Sequence, residues 1–268
     1  MQEVAYAKLN LALHVRAREA DGYHRIETVF AFCEDGDRLE VREGEELSLD
    51  VAGPFGHELS SGEDNLVMLA ARGLAERFAV TRGAALILEK RLPVSAGLGG
   101  GSADAAAVLR LLSRWWGIAP GDDELLALAA ELGADVPACL ASRTARGEGR
   151  GDRLLPWGDE TLTGTPVLLV NPGTPLSTSS VFRAWGGEDR GPLAALEASR
   201  NDLEPPAIAL VPEIADVLAA LSDAKLARMS GSGATCFGLY ATEAERDAAA
   251  ERIRALAGGW WQLSTRLR

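Results

Sequence analysis

Cysteine is scarce in this 268-residue chain: Cys33, Cys139 and Cys236 are the only three, and they form no CxxC and no Cys/His pair. Their spacing excludes a disulfide framework or a zinc site and predicts three reduced thiols in the core. Long apolar runs are also lacking, and none approaches the ~20 residues that a membrane span requires. The start, MQEVAYAKLNLALHV, has neither the basic n-region nor the unbroken apolar stretch of a signal peptide, and no N-x-S/T acceptor occurs. Positive charge is in short supply, with 27 Lys and Arg against 39 Asp and Glu and a net charge of -12. Phosphate-backbone binders need clustered basic residues, and so does docking on anionic lipid. Nucleic acid and membrane are therefore excluded as partners, and a cytoplasmic protein is expected. An anionic small molecule stays compatible, because a few backbone amides, one lysine and a metal ion outweigh the global field locally.

What is present is ordinary globular composition, 47% hydrophobic and 25% charged, in a length that suits one large domain or two modest ones. AKLNLALHV alternates strictly, with Lys8, Asn10, Ala12 and His14 on one face. Asp21-Gly22 suits a turn into a second strand, YHRIETVFAF. A third strand, DRLEVRE, is expected next, paired with ELSLDV. GEDNLVMLAARGLAERF has helical spacing, with Asp64 or Asn65 at its N-cap. The strand GAALILEKRLP then runs into SAGLGGGSADAA, with four glycines among residues 97–101, and into a helix from about Ser102 to Trp116. DDELLALAAELG is a further helix and ADVPACLA a short element. RGEGRGDRLLPWGDETLTGTP reads as an irregular interruption over residues 146–166. The remainder reads as strand VLLVNP, a loop, helices PLAALEA and VPEIADVLAALSDA, strands AKLARMS and TCFGLY, helix EAERDAAAERIRALA and a final strand.

The glycine loop fails both common nucleotide patterns. No lysine follows the glycines as a P-loop demands, and Ser102 stands where the Rossmann fingerprint needs its third glycine. The order strand, glycines, helix still suits phosphate, because the first helical turn offers unpaired N–H groups and the positive end of the dipole. Taken alone, the loop reads either as a phosphate cradle or as a bare turn. SGSGATCFG reads alone as a tight hairpin.

Taken in order, AKLNLALHVRAREADGYHRIETVF, LPVSAGLGGGSADAA, GADVP and SGSGATCFG resemble the GHMP kinase superfamily. Within it, AKLNL…DGYH is similar to the 4-diphosphocytidyl-2-C-methylerythritol kinases of non-mevalonate isoprenoid synthesis. The resemblance runs from Ala7 to about Tyr240. It implies transfer of the ATP γ-phosphate to the 2-hydroxyl of a cytidine diphosphate conjugate. It also implies that Gly97, Gly99, Gly100, Gly101 and Ser102 wrap the triphosphate, with Ser102 near Mg²⁺. Asn65 and Lys90 match positions beside the nucleotide; a helix cap and a solvated strand-end charge are their plain alternatives. Lys8 and Asp135 match the catalytic pair. Phosphoryl transfer rests on positioning and charge stabilisation, with a carboxylate to receive the hydroxyl proton. Asp135 also suits an N-cap before Val136-Pro137. On the acceptor side, Asn10 lies on the face of Lys8, Tyr23 and Phe182 match an aromatic sandwich for cytosine, His24 its hydrogen-bond partner, and Thr178 a substrate contact.

Two segments depart from the family: Ser95-Ala96 where relatives carry more glycine, and RGEGRGD where relatives show GVGE. The expected architecture is α/β with two domains. Residues 1–154 form a ribosomal-S5-domain-2-like nucleotide domain and residues 155–268 a ferredoxin-like substrate domain, with the active site between them. A GHMP kinase for homoserine or mevalonate, or a non-enzymatic ATP sensor, are the rival readings. Monomer and homodimer are both compatible.

Overall fold

The alternating segment near the start folds as a 17-residue strand, β1 (Gln2–Arg18), and it is buried on both faces from Ala7 to Val15. The alternation therefore sorts residues between two covered faces and not between core and solvent. β1 pairs with β2 (His24–Arg42) across the Asp21-Gly22 turn. YHRIETVFAF and DRLEVRE are thus one continuous strand, where two were expected. Gly36 sits at the join; a Cβ there would lie 1.9 Å from the Ala5 carbonyl oxygen, so the glycine admits the β1 backbone and makes no turn.

The computed structural model describes residues 1–62, 64–158 and 162–268, in two compact units. The first comprises Met1–Ala7, Asp35–Val94 and Gly99–Ser142. In it β3 (Leu47–Ala52) runs parallel to β4 (Ala84–Glu89), and β4 runs antiparallel to residues 38–42 of β2. The expected pairing of ELSLDV with DRLEVRE is therefore corrected: β4 lies between them. The intervening helix α1 (Leu66–Arg77) makes β3–α1–β4 a crossover unit, which returns the chain parallel. The helix after the glycines, α2 (Gly100–Trp116), begins two residues earlier than expected and ends at Gly117 with φ +69°. It is buried nearly all round from Ala103 to Leu109, which its run of alanines permits. Helices α3 (Asp122–Leu132) and α4 (Val136–Ala141) complete this unit.

The second unit comprises Lys8–Glu34, Ser95–Leu98 and Arg143–Arg268. Part of the stretch expected to be irregular is a hairpin, β5 (Ala145–Gly149) and β6 (Arg153–Pro156), with β5 antiparallel to residues 26–30 of β2. Its glycines and charges hid the pattern from composition; residues 159–161 of that stretch lie outside the described residues. The remainder runs β7 (Pro166–Asn171), α5 (Thr178–Ala184), α6 (Glu204–Leu210), α7 (Glu213–Ala220), β8 (Leu226–Met229), β9 (Cys236–Leu239), α8 (Glu243–Leu256) and β10 (Trp261–Arg266). All pairings are antiparallel in the order β10-β7-β9-β8, the ferredoxin-like arrangement. Two expectations fail here: PLAALEA holds only a 3-10 turn at Leu196–Ala198, and STSSVF, read as loop, lies in α5. Leu168, Val170, Val217, Met229, Cys236 and Ile253 lie in its core. All three cysteines are buried, and none is in a disulfide. Among the described residues no helix is long and apolar enough to cross a membrane.

Candidate active site

Each glycine of the loop has a separate physical reason. Gly97 adopts φ +77°, and a Cβ there would meet the Ser230 carbonyl oxygen at 2.4 Å and that of Gly233 at 2.9 Å. Gly99 occupies the N-cap of α2 at φ +62°, a left-handed conformation that side chains disfavour. Ser102 lies half-buried in the first turn of the helix. A Cβ on Gly100 would stand 2.9 Å from the Lys90 ammonium. A Cβ on Gly101 would meet nothing within 4 Å, so no protein contact requires this glycine. Ser95 takes φ +53°, a conformation glycine would adopt without cost.

Three successive loop carbonyls are held from within the second unit. Ala96 accepts from the Thr235 backbone N–H at 3.2 Å, and Gly97 from the Ser230 hydroxyl at 2.9 Å. Leu98 accepts from the backbone N–H of Lys8 at 3.0 Å. Ser230 Oγ also accepts from the Asn10 backbone N–H at 3.1 Å. SGSGATCFG is indeed a hairpin connection, between β8 and β9, and it also ties the glycine loop to β1. The Lys8 ammonium is buried and donates to Asn10 Oδ1 at 2.7 Å, 5.5 Å from the Phe30 ring centre. Asn10 Nδ2 donates to Thr28 Oγ1 at 2.8 Å, and that hydroxyl donates to the Ala12 carbonyl at 2.6 Å. A relay of three side chains thus sets where the Lys8 charge sits. Lys8 is no solvent-facing edge charge.

In the first unit, Asp135 stands at the N-cap position of α4, yet its carboxylate makes no capping bond to the helix. Asn65 does cap: Oδ1 accepts from Val67 N at 2.9 Å and Nδ2 donates to the Ser60 carbonyl at 2.7 Å. Lys90 is not a solvated strand-end charge. It is 2% exposed and bridges Asp37 at 2.5 Å and Asp104 at 2.7 Å, both carboxylates themselves buried. Burial pulls the Lys90 pKa down, but the two carboxylates outweigh it and hold the ammonium above its ordinary value. Burial raises the Asp104 carboxyl to about 7 against the pull of Lys90, with the Asp37 charge adding to the rise. Asp37 Oδ1 also accepts the backbone N–H groups of Arg91 and Leu92. This triad lies directly beneath Gly100.

No cluster of three carboxylate, imidazole or thiolate groups able to hold a metal occurs among the described residues. Asp104 is turned onto Lys90, which leaves the half-buried Ser102 hydroxyl as a side-chain oxygen in the first turn of α2. That donor set does not fit a protein-built cage; it fits magnesium that arrives on nucleotide phosphates and keeps its waters.

The acceptor residues lie in the second unit. The His24 and Phe182 rings are 4.8 Å apart, tilted at 37°. Trp185 meets His24 edge-on at 5.7 Å. His24 Nε2 is buried without a hydrogen-bond partner among the described residues, and burial, with the nearby Arg18 charge, lowers its pKa. Tyr23 is 54% exposed and carries the Arg150 guanidinium 3.9 Å from its ring centre. Among the described residues no ring contact joins Tyr23 to Phe182. Thr178 opens α5, its hydroxyl 2.9 Å from that of Ser232.

Sequence reasoning missed Thr28, Trp185 and the joining of Asp37 and Asp104 through Lys90. Trp185 follows Phe182 by one helical step and could have been found as an i, i+3 neighbour. The others act through contacts distant in sequence and leave no local signal.

The GHMP kinases N terminal domain model matches residues 65–143, and the GHMP kinases C terminal model matches residues 187–258. The expected boundary at 154/155 lies in the gap between the two matches. A 4-diphosphocytidyl-2-C-methyl-D-erythritol kinase from Rhizorhabdus wittichii is 56% identical over 277 residues, covering 99% of this chain and 94% of the relative. A crystal structure of a 4-(cytidine 5'-diphospho)-2C-methyl-D-erythritol kinase superposes with a TM-score of 0.83 at 38% identity, covering 99% of each chain. The Methanococcus jannaschii mevalonate kinase superposes with a TM-score of 0.71 at 11% identity, covering 100% of this chain and 98% of that one, which is a likeness of fold alone.

Proposed function

This chain belongs to the GHMP kinase family and phosphorylates 4-diphosphocytidyl-2-C-methyl-D-erythritol on the methylerythritol phosphate route to isoprenoids, with ATP as donor; from that premise we propose how its residues divide the reaction. The γ-phosphoryl group passes to the 2-hydroxyl, giving the 2-phosphate and ADP. The backbone of Gly97, Gly99, Gly100 and Gly101 and the N-terminal turn of α2 cradle the triphosphate. Gly101, open to solvent and required by no protein contact, supports that reading. Asn65 and Lys90 serve the nucleotide side, Lys90 from beneath the loop. Ser102 would hold a magnesium ion bound with the phosphates, and that ion would supply positive charge to offset theirs.

Lys8 neutralises charge on the transferred group, where a preorganised cation needs no reorganisation as the reaction proceeds. Asn10 and Thr28 hold that ammonium in place. Asp135, at the N-terminal end of α4, receives or orients the proton of the acceptor hydroxyl. The cytosine ring rests on Tyr23 and on Phe182, and His24 Nε2 supplies a directed hydrogen bond, for which its unpartnered state is the support. Thr178, tethered to Ser232, contacts the substrate. Residues 1–154 carry the nucleotide side and residues 155–268 the ferredoxin-like acceptor side, to which Asn10, Tyr23 and His24 of the same compact unit also contribute. The enzyme works in the cytoplasm on small molecules, as a monomer or homodimer.

One observation carries this reading: the carbonyl of Leu98, in the glycine loop, accepts the backbone N–H of Lys8. A P-loop carries its lysine inside the motif; here one backbone hydrogen bond links the loop to a lysine ninety residues upstream. Lys8→Met should lower kcat by about 10²–10³, the loss seen when one preorganised stabilising donor is removed, while leaving the calorimetric ATP affinity within tenfold. A near-native kcat would overturn the assignment.

A further inference from the structure

The segment RGEGRGD, which departs from the family pattern, reaches the acceptor residues. Gly149, Arg150 and Gly151 form the tip of the β5–β6 hairpin, closed by the Gly151 N–H on the Glu148 carbonyl at 3.1 Å. From that tip the Arg150 guanidinium lies over the Tyr23 ring at 3.9 Å, and its Nη2 donates to Asp21 Oδ2 at 2.5 Å. The other oxygen of Asp21 accepts the Tyr23 backbone N–H at 3.0 Å. One carboxylate therefore holds both the tyrosine's backbone and the cation stacked on its ring.

Tyr23 needs such support. It sits in a short turn bounded by the Glu19 N–H on the Tyr23 carbonyl at 2.8 Å, and more than half of it is exposed. A free aromatic side chain there would lose rotamer freedom on clamping a base, and that loss weakens binding. A planar guanidinium anchored by a carboxylate fixes the ring beforehand. Arginine suits the task better than lysine because its plane stacks on an aromatic face while its fork grips the carboxylate.

We propose that Arg150 is a positioning residue for acceptor recognition: it covers one face of Tyr23 and holds the other face ready for the cytosine ring. This inference rests on the placement of the base at Tyr23. It gives the departure from the family pattern a purpose, since Arg150 stands at the hairpin tip.

The test is steady-state kinetics of Arg150→Ala, Arg150→Lys, Tyr23→Ala and Tyr23→Ala/Arg150→Ala, with melting temperatures measured alongside. Arg150→Ala should raise the acceptor KM by about threefold to tenfold, the scale of a partly exposed cation–π contact, with kcat and the ATP KM unchanged. Arg150→Lys, which keeps the charge and loses the plane, should fall between Arg150→Ala and the native enzyme. In the Tyr23→Ala background, removing Arg150 should change nothing more. An unchanged or lowered acceptor KM in Arg150→Ala overturns the proposal, the lowered value marking the guanidinium as a plug the base must displace. An Arg150 effect that persists without Tyr23 also overturns it. If Tyr23→Ala itself leaves the acceptor KM unchanged, the base site at Tyr23 fails and this inference with it. If Tyr23→Ala raises that KM and Arg150→Ala does not, only this inference fails.

Discussion

The surroundings of Lys8 and those of Tyr23 differ in kind, although both belong to one compact unit. Around Lys8 every named polar group is buried and bonded: the ammonium to Asn10, Asn10 to Thr28, Thr28 to a backbone carbonyl, and three loop carbonyls to β1 and the β8–β9 connection. Around Tyr23 the ring is exposed, its support is a surface ion pair, and His24 Nε2 has no hydrogen-bond partner among the described residues. Charge stabilisation in the transition state needs dipoles fixed in advance, and the first region has them. Recognition needs groups that a ligand completes, and the second region has those. Buried satisfaction goes with the chemistry; incompleteness goes with the substrate.

Mutations should separate the two regions by which kinetic constant they move. The largest effect is expected at Asp135. Asp135→Asn should cut kcat by about 10²–10⁴, the usual contribution of a positioned proton acceptor, with ATP affinity nearly unchanged by calorimetry. Equal loss of turnover and ATP affinity, with a lowered melting temperature, would make Asp135 a structural residue of α4. Tyr23→Ala should act oppositely, raising the acceptor KM by an amount equivalent to roughly 1–3 kcal/mol, the range for base–aromatic stacking, with kcat little changed. A loss in kcat alone would erase the distinction between the regions.

Gly101 sharpens the comparison from within the loop. Gly101→Ala places a methyl group in open space on a helix. Thermal unfolding should show a gain of about 0.5–1 kcal/mol, as for glycine replaced by alanine in a helix, together with a raised ATP KM. A stabilised variant with unaltered ATP KM would remove phosphate from that face.

The smallest expected effect concerns pH. Asp104 has a folded pKa of about 7 against an ordinary 3.8, so the native state holds its proton more tightly than the unfolded chain across that window. Its contribution is fully present in acid and is lost as pH rises toward about 7. Asp104→Asn should flatten that part of the stability–pH curve measured by urea unfolding. A slope identical to that of the native chain would place the buried proton elsewhere in the triad.

The sequence was more legible where structure is local. The α1, α2, α3 and α8 helices follow from apolar spacing and punctuation, and β1 from strict alternation. DRLEVRE and YHRIETVFAF looked separate because Gly36 resembles a break, and only the packing of Ala5 against it explains the glycine. The β5–β6 hairpin escaped notice because charged and glycine-rich strands lack an apolar face. The pairing of β3 with β4 is a topological fact that no single segment encodes. At the site, motif residues were readable one by one, whereas the burial of Lys90 between two aspartates, and the bond from Lys8 to Leu98, are long-range contacts. The plain alternative for Asn65, a helix cap, is present in its geometry, beside a further bond from Nδ2 to the Ser60 carbonyl.

The account stands most directly on a coupled ADP-release measurement comparing four acceptors: the cytidyl substrate, its uridyl counterpart, mevalonate and homoserine. Cytosine and uracil present opposite hydrogen-bonding groups at ring positions 3 and 4, so a His24 nitrogen in a single tautomer satisfies only one of them. The expected result is a kcat/KM for the cytidyl acceptor about 100-fold or more above the uridyl one, with no turnover of mevalonate or homoserine. Comparable rates with both nucleotides, or faster ADP release with either small alcohol, would contradict it.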